Sequence, residues 1–280
     1  MSKNWTIDEL LVCYISRQIH DDDFVVQGMG TPLVFSAFLL AKQLHSPNVQ
    51  FMYTVGNTIS QSTGNLSLSK VENNTMEHAL RYISMPQMHV EIVPSLYPKE
   101  FMRPAQIDQF GNTNNVVIGD YETPKVRLPG SAGIGDVASF NHNIYYYVTS
   151  HDKRTLVENL DFCSSVGYGE REHELNRMGN VNRGPRQLIT DKCIFDFSKG
   201  RAELVSVHPS SSIEDVIENT GFSFELAESV IETTPPTDEE LTLLREKIDP
   251  LQLRRLEFLS GKKRLTHLKA IVEAEKKLGI

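Results

Sequence analysis

Apolar positions along the chain alternate between two periods. Ile7, Leu10, Leu11, Tyr14 and Ile15 recur at helical spacing behind Thr6-Ile7-Asp8-Glu9, which fits a capping box and predicts a helix to about His20. Asp21-Asp22-Asp23 breaks that pattern, and Phe24-Val25-Val26 predicts a short buried strand. Gly28-Met29-Gly30-Thr31-Pro32 turns into an apolar helix over 33–44 with Pro32 near its first position, Ser46-Pro47-Asn48 ends it, and 49–55 predicts the next strand. Strand, glycine turn, helix and strand in that order mark a βαβ unit. The expected class is therefore α/β, an open and mostly parallel sheet with helices on both faces. Residues 57–75 are rich in Ser, Asn and Gly and predict a mobile loop beside the end of that strand, where open α/β sheets hold ligands. A short helix over 75–83 and strands over 116–119 and 144–149 follow. An antiparallel meander is expected over 187–190, 193–197 and 203–207, with Lys199-Gly200 as one turn. Ser211-Ser212-Ile213-Glu214 caps a helix that stops near Gly221, and Pro235-Pro236-Thr237-Asp238 opens another that Pro250 limits.

With 280 residues, 40% of them hydrophobic, the chain can bury a full core as one large domain or two smaller ones. A formal net charge of −8 argues against a nucleic-acid partner. Cys13, Cys163 and Cys193 are far apart and lack zinc spacing, which reads as buried thiols in a reducing compartment. No apolar run approaches membrane-spanning length and no leader pattern opens the chain, so a soluble cytoplasmic protein is expected. Charge is uneven. From Pro250 onward eight Lys and Arg face three Glu, so that stretch carries +5 and the preceding residues −13. This sets 253–280 apart from a 1–252 body as a basic amphipathic helical extension, solvated or docked on an acidic partner chain.

Candidate chemistry concentrates in glycine turns. The loop Gly130-Ser131-Ala132-Gly133-Ile134-Gly135-Asp136 leaves peptide N–H groups uncovered by side chains, which suits a carbonyl oxygen, an oxyanion or a phosphate. It has neither the P-loop nor the dinucleotide fingerprint, and Asp136 reads first as a helix cap. Gly28-Met29-Gly30 lacks the third glycine of a dinucleotide site. It is either a tight strand-to-helix turn or a set of backbone donors near a bound carbonyl. The histidines form no metal-ligand spacing, His173 lies in a charge run with Glu170, Glu172 and Glu174, and no metal is assigned. There is no G-x-S-x-G elbow.

The run AQIDQFGNTNNVVIGDYETPKVRLPGSAGIGDVASF, followed by TDKCIFDF, VHPSSSIEDVIENTGFSF and LREKIDP, resembles the β-type half of family I CoA-transferases, the glutaconate-type transferases among them, over roughly 5–252. The resemblance implies an open α/β fold, an α-type partner subunit, and coenzyme A as part of an acyl-CoA substrate with no permanently bound cofactor. It places Gly130, Ser131, Ala132, Gly133 and Gly135 against the CoA thioester, with Gly28 and Gly30 as the opposite wall. Transferases of this family attack the acyl-CoA with a glutamate in a Glu-x-Gly context. Here that context is Thr54-Val55-Gly56, and no Asp or Glu occurs from Gln50 to Val71. A hydroxyl cannot form the acyl anhydride. Relatives without that glutamate resemble ring-opening CoA-ester hydrolases, whose β half also carries Thr there and whose acid–base glutamate comes from the partner; another relative decarboxylates. The expectation is a hydrolase or C–C bond-cleaving enzyme with Thr54 bonding substrate or water. A true CoA-transferase is the alternative, and a non-catalytic subunit the second.

Overall fold

The Thr6 N–H donates to Glu9 Oε2 at 2.9 Å, closing the capping box, and α1 runs Ile7–Ser16. The structure is a computed structural model and describes residues 4–28, 31–62, 64, 66–169, 177 and 184–279. The chain divides into two units, residues 1–88 with 234–280, and residues 89–233.

In the first unit, β1 (Phe24–Gln27), α2 (Pro32–Leu44) and β2 (Gln50–Tyr53) form the predicted βαβ crossover, with β1 and β2 parallel in the register Phe24↔Gln50 to Gln27↔Tyr53. Phe51 and Tyr53 stack at 5.8 Å, and Phe35 meets Tyr53 edge-on at 5.9 Å, so α2 seals its apolar side onto β2. The segment expected to be a mobile loop is instead partly regular. β3 (Thr58–Ser60) pairs antiparallel with β2, β4 (Arg81–Tyr82) pairs with β3, and α3 spans Val71–Met76. Polar composition is misleading there because Thr58 and Ser60 are buried with their hydroxyls satisfied, by Thr75 O and by His78 O. The helix expected over 75–83 accordingly lies earlier, and 81–82 is strand.

Residues 234–280 complete this unit. The Asp238–Leu243 helix is capped by Thr237 and Glu240 as predicted, continues as a π turn over Leu244–Ile248, and stops at Asp249 before Pro250. A 3₁₀ turn over Leu253–Glu257 and the helix Gly261–Lys277 follow. Leu253, Leu256 and Ile271 are buried, with Leu66, Leu68, Leu251 and Leu268 packed against them. Arg254 is 2% exposed. Its guanidinium meets Asp8 Oδ2 at 2.8 Å, Glu9 Oε1 at 3.1 Å and Asp249 Oδ2 at 2.8 Å. Glu257 Oε1 accepts the Leu33 N–H at 2.8 Å and so caps α2, whose own Thr31 provides no side-chain cap. The lysines of the last helix are exposed, but Arg254, Glu257 and Glu275 are not. Counting charges therefore overstates how freely this segment is solvated.

In the second unit, β5 (Lys99–Met102) and β11 (Gln187–Ile189) flank β10 (Ile144–Tyr147) in parallel. The meander of β11, β12 (Cys193–Asp196) and β13 (Glu203–Val207) is antiparallel as expected. β14 (Glu225–Glu232) adds parallel to β13, so the strand order is β14-β13-β12-β11-β10-β5. Two short hairpins join β6 (Gln106–Ile107) to β7 (Thr113–Asn114) and β8 (Val117–Ile118) to β9 (Val126–Arg127). Parallel pairs with crossovers in both units make the α/β class the observed one. Cys13, Cys163 and Cys193 are free thiols, the first and last buried. Among the described residues no helix is long and apolar enough to cross a membrane, and no cluster of His, Cys, Asp and Glu is placed to hold a metal. The His173 charge run lies outside the described residues.

Arg254→Ala strands three carboxylates and is expected to cost roughly 3–5 kcal/mol in denaturant unfolding. Arg17→Ala, which removes a half-exposed pair with Glu240, costs about 1 kcal/mol. In the second unit, burial holds His151 and His208 neutral with pKa values of about 4, and burial pushes Glu100 up to about 7. Between these values and the unfolded ones, each histidine makes the unfolded state bind one more proton, so its stability is lost as pH falls below about 6.5. Glu100 works oppositely, its contribution being lost as pH rises toward 7. Glu100→Gln should therefore steepen the rise of stability from pH 5 to 6.5 by about 1.4 kcal/mol per pH unit, read from urea midpoints across that range.

Candidate active site

β1 and β2 end side by side, and Thr54 is the first residue beyond β2. Its N–H and its Oγ1 both donate to Gln27 O, each at 3.1 Å. The hydroxyl's single hydrogen is thereby used, and what Thr54 offers outward is an acceptor. The turn from Thr54 to Asn57 closes the β2–β3 hairpin, with Gly56 at φ +86°. A Cβ on Gly56 would sit 2.9 Å from Thr75 Oγ1, and that hydroxyl already donates to Val55 O at 3.1 Å. The turn is thus pinned from behind by the end of α3.

Beside it lies a cavity of about 90 Å³ whose lining includes Gln27, Gly28, Phe35, Tyr53 and Val55. Among the described residues no carboxylate lines it, and neither does Thr54, whose two chain neighbours do. Gln27 Nε2 donates to Thr31 Oγ1 at 2.8 Å, while its buried Oε1 has no partner. Gly28 and Thr54 therefore converge on Gln27, a residue that sequence reasoning passes over because a strand-end glutamine carries no motif. Gly30 lies outside the described residues.

In the second unit the glycine loop opens with Gly130 at φ +104° and Ala132 at φ +45°, then enters the helix Ile134–Phe140. Gly130 N–H donates to Asn115 O at 3.0 Å and Ile134 N–H to Ser131 O at 2.9 Å. The amides of Ser131, Ala132 and Gly133 find no backbone acceptor among the described residues. Asp136 is not the cap that was expected: Gly133 holds the N-cap position and Asp136 lies in the first turn. Two glycines are fixed by close approach. A Cβ on Gly133 would fall 2.5 Å from His89 Nε2, and one on Gly135 would fall 2.8 Å from Ser164 O. Gly130 also borders a larger cavity, about 470 Å³, at the carboxyl ends of β5 and β10, with Arg103, Asn115, Thr149 and Ser150 around it. Sequence reasoning misses this cavity because it misses β5.

The Gly-Asn-x-Asn motif serves as scaffold. Asn114 is fully buried. It donates to Gln106 Oε1 and Val117 O and accepts from Val116 N–H and Val117 N–H. Asn112 accepts the Gly167 N–H, and Asn115 Oδ1 accepts the Ala105 N–H at 2.6 Å. These bonds hold the strand end that carries Arg103 against the root of the glycine loop. In the Glu-Asn-Thr-Gly segment, Thr220 is bonded to the buried His151 at 2.8 Å, and Gly221 allows the chain to pass Leu156 O. Its role too is packing.

This architecture is shared with known proteins. The family described as Coenzyme A transferase matches residues 11–219. The chain is 34% identical over 244 residues to the B-type subunit of 3-oxoadipate CoA-transferase from Pseudomonas knackmussii, covering 86% of this chain and 92% of that one. It is 33% identical over 267 residues to the B-type subunit of glutaconate CoA-transferase from Acidaminococcus fermentans, covering 89% and 94%. The crystal structure of that transferase superposes with a TM-score of 0.78 at 28% identity, over 92% of this chain and 99% of that chain. A cholesterol ring-cleaving hydrolase IpdB subunit of Mycobacterium tuberculosis is 33% identical over 159 residues, 55% of this chain and 62% of the relative. The chain belongs to the Coenzyme A transferase family, as a subunit of its B type.

Gly133→Ala drives a methyl group into His89, so in the enzyme assembled with its partner it should lower kcat/KM at least about tenfold by displacing the loop amides. Adding His89→Ala makes room and should recover most of that loss. Steady-state kinetics of the two single variants and the double variant check this.

Proposed function

We propose that this chain is the B-type half of a two-chain enzyme that acts on acyl-CoA thioesters without a glutamyl-CoA intermediate, by hydrolytic or C–C bond-cleaving chemistry. Thr54 carries this reading. At the hairpin tip where a transferase of this family needs a nucleophilic carboxylate stands a hydroxyl already donating to Gln27 O. Among the described residues, the carboxylates of Glu257 and Glu275, which reach elements around the cavity, are engaged, Glu257 on the Leu33 N–H and Glu275 on Leu68 and Ser69. The proposed division of labour has the amides of Ser131, Ala132 and Gly133 accept charge on the thioester oxygen, a contribution of about 3 kcal/mol per well-aligned donor. Thr54, as an acceptor, orients water or a substrate hydroxyl, and a carboxylate of the A-type partner removes the proton. Similarity to an IpdB subunit supports the hydrolytic branch. A second reading, transfer of CoA between carboxylic acids, is favoured by the nearly full-length match to two transferase subunits.

The test is co-purification with an A-type partner, incubation with a panel of acyl-CoA esters, and trapping with borohydride or hydroxylamine followed by mass spectrometry of this chain. Turnover with water and no covalent adduct is the expected result. An adduct on a glutamate of this chain would establish the transferase reading, and CoA binding without turnover of any ester would leave only a silent subunit. Thr54→Glu should create an adduct where the wild type shows none.

A further inference from the structure

The helix Gly261–Lys277 buries one acid, Glu275, which reaches toward the cavity beside Thr54. Glu275 is fully buried, and its carboxylate is met by a three-donor cradle: Leu68 N–H at 2.6 Å, Ser69 N–H at 2.9 Å and the Ser69 hydroxyl. Leu66, Ser67 and Leu68 in turn form one wall of the 90 Å³ cavity, and Leu253, from the same C-terminal segment, forms part of another. Lys70 N–H donates to Ser67 Oγ at 3.2 Å, so the clamped residues make a compact turn. Leu68 and Ser69 belong to no helix or strand, so no ladder of backbone bonds holds their amides in place. A carboxylate bonded to two consecutive amides fixes the backbone that carries them, since charge-assisted bonds are shorter and stronger than neutral ones.

We infer that the C-terminal segment shapes the acyl pocket of this chain: Glu275 is a positioning residue that fixes the 66–69 wall, and Leu253 is a specificity-determining residue that limits the cavity's depth. The inference rests on the enzymatic reading above and adds a substrate class to it. The described lining is mostly apolar, its polar side chains being Gln27, Thr31, Tyr53, Ser67 and Thr75, and the volume is small, about 90 Å³. Such a space takes a short aliphatic end of an acyl chain. It disfavours a charged terminus, since no cation lines it among the described residues.

The test uses the assembled two-chain enzyme and a series of straight-chain acyl-CoA esters of increasing length. Glu275→Ala should raise KM about tenfold for the preferred ester with kcat nearly unchanged, and flatten the dependence on chain length. Glu275→Gln, which keeps one acceptor oxygen, should fall between Glu275→Ala and the wild type. Leu253→Ala deepens the cavity and should shift kcat/KM toward longer chains by about tenfold per added methylene accommodated. Deuterium uptake at 66–70 should rise in Glu275→Ala without added substrate. A merely structural role would lower the melting temperature and leave the chain-length profile as it is. An unmoved profile in all three variants, with an active wild type, overturns the pocket assignment and leaves the enzymatic reading standing. A wild-type pair that binds no acyl-CoA overturns both.

Discussion

Burial of the Arg254 guanidinium is the constraint on which the first unit turns. Removing that charge from water is costly, and only near-complete pairing offsets it. Asp8 and Glu9 come from the first helix, Asp249 from the far end of the chain, and Arg245 grips both oxygens of Glu9, Oε1 at 2.7 Å and Oε2 at 2.8 Å. Three carboxylates meet two guanidinium groups, and their protonation tendencies divide accordingly. Burial alone would raise Glu9, but Arg245, the Thr6 amide and Arg254 together hold its carboxyl below the ordinary range. Asp249 moves the other way, burial outweighing the pull of Arg254. Asp249 also accepts the amides of Leu253 and Arg254, so the same carboxylate that meets the guanidinium shapes the turn carrying it. From that turn Leu253 and Glu257 follow, one lining the cavity and the other capping α2. The ends of the chain form one core because a single cation needs partners from both.

What was legible in the sequence follows from how each element is stabilised. α1, α2, β1, β2 and the meander bury apolar faces of their own, and their periodicity announces them. The caps at Thr6, Ser212 and Thr237 are local chemistry and stand where expected. β14 escapes notice because almost all of Glu225–Glu232 is exposed, so no alternation of apolar and polar positions marks it. β3 escapes for the opposite reason, its polar side chains being buried and satisfied by tertiary partners that no local window contains. A charge count over 253–280 does not show that Arg254, Glu257 and Glu275 are turned inward.

The site was legible in part. Glycines at 56, 133 and 135 stand where the backbone needs a positive φ or an approach closer than any Cβ allows, so their spacing does report geometry. The asparagines between Gly111 and Val116 look like ligand chemistry and prove to be a brace, because an amide side chain satisfies both a donor and an acceptor in a buried hairpin. Gln27, Arg103 and His89 are invisible for want of any pattern. Each matters through what the fold brings to it: a neighbouring strand end, a cavity mouth, or a glycine pressed against an imidazole.

Thr54 sits where local chemistry and reaction choice meet. Its backbone N–H and its hydroxyl converge on one carbonyl, so the side chain is held by the same bond that aligns the ends of β1 and β2. A carboxylate in that place would face Gln27 O with two acceptors and no donor, and would have to turn away from the strand. There it would be exposed to an acyl group and free to attack it. A threonine has the reverse disposition: it is anchored inward and presents lone pairs outward. It can receive a proton-bearing group such as water, but without a base to activate it the hydroxyl neither deprotonates that water nor attacks carbon itself. Any base must then come from elsewhere, and none of the described residues lining the cavity beside Thr54 is acidic. On the proposed reading such a chain lends the pocket and the loop amides while a second chain supplies the base, and the related chains are themselves named as subunits.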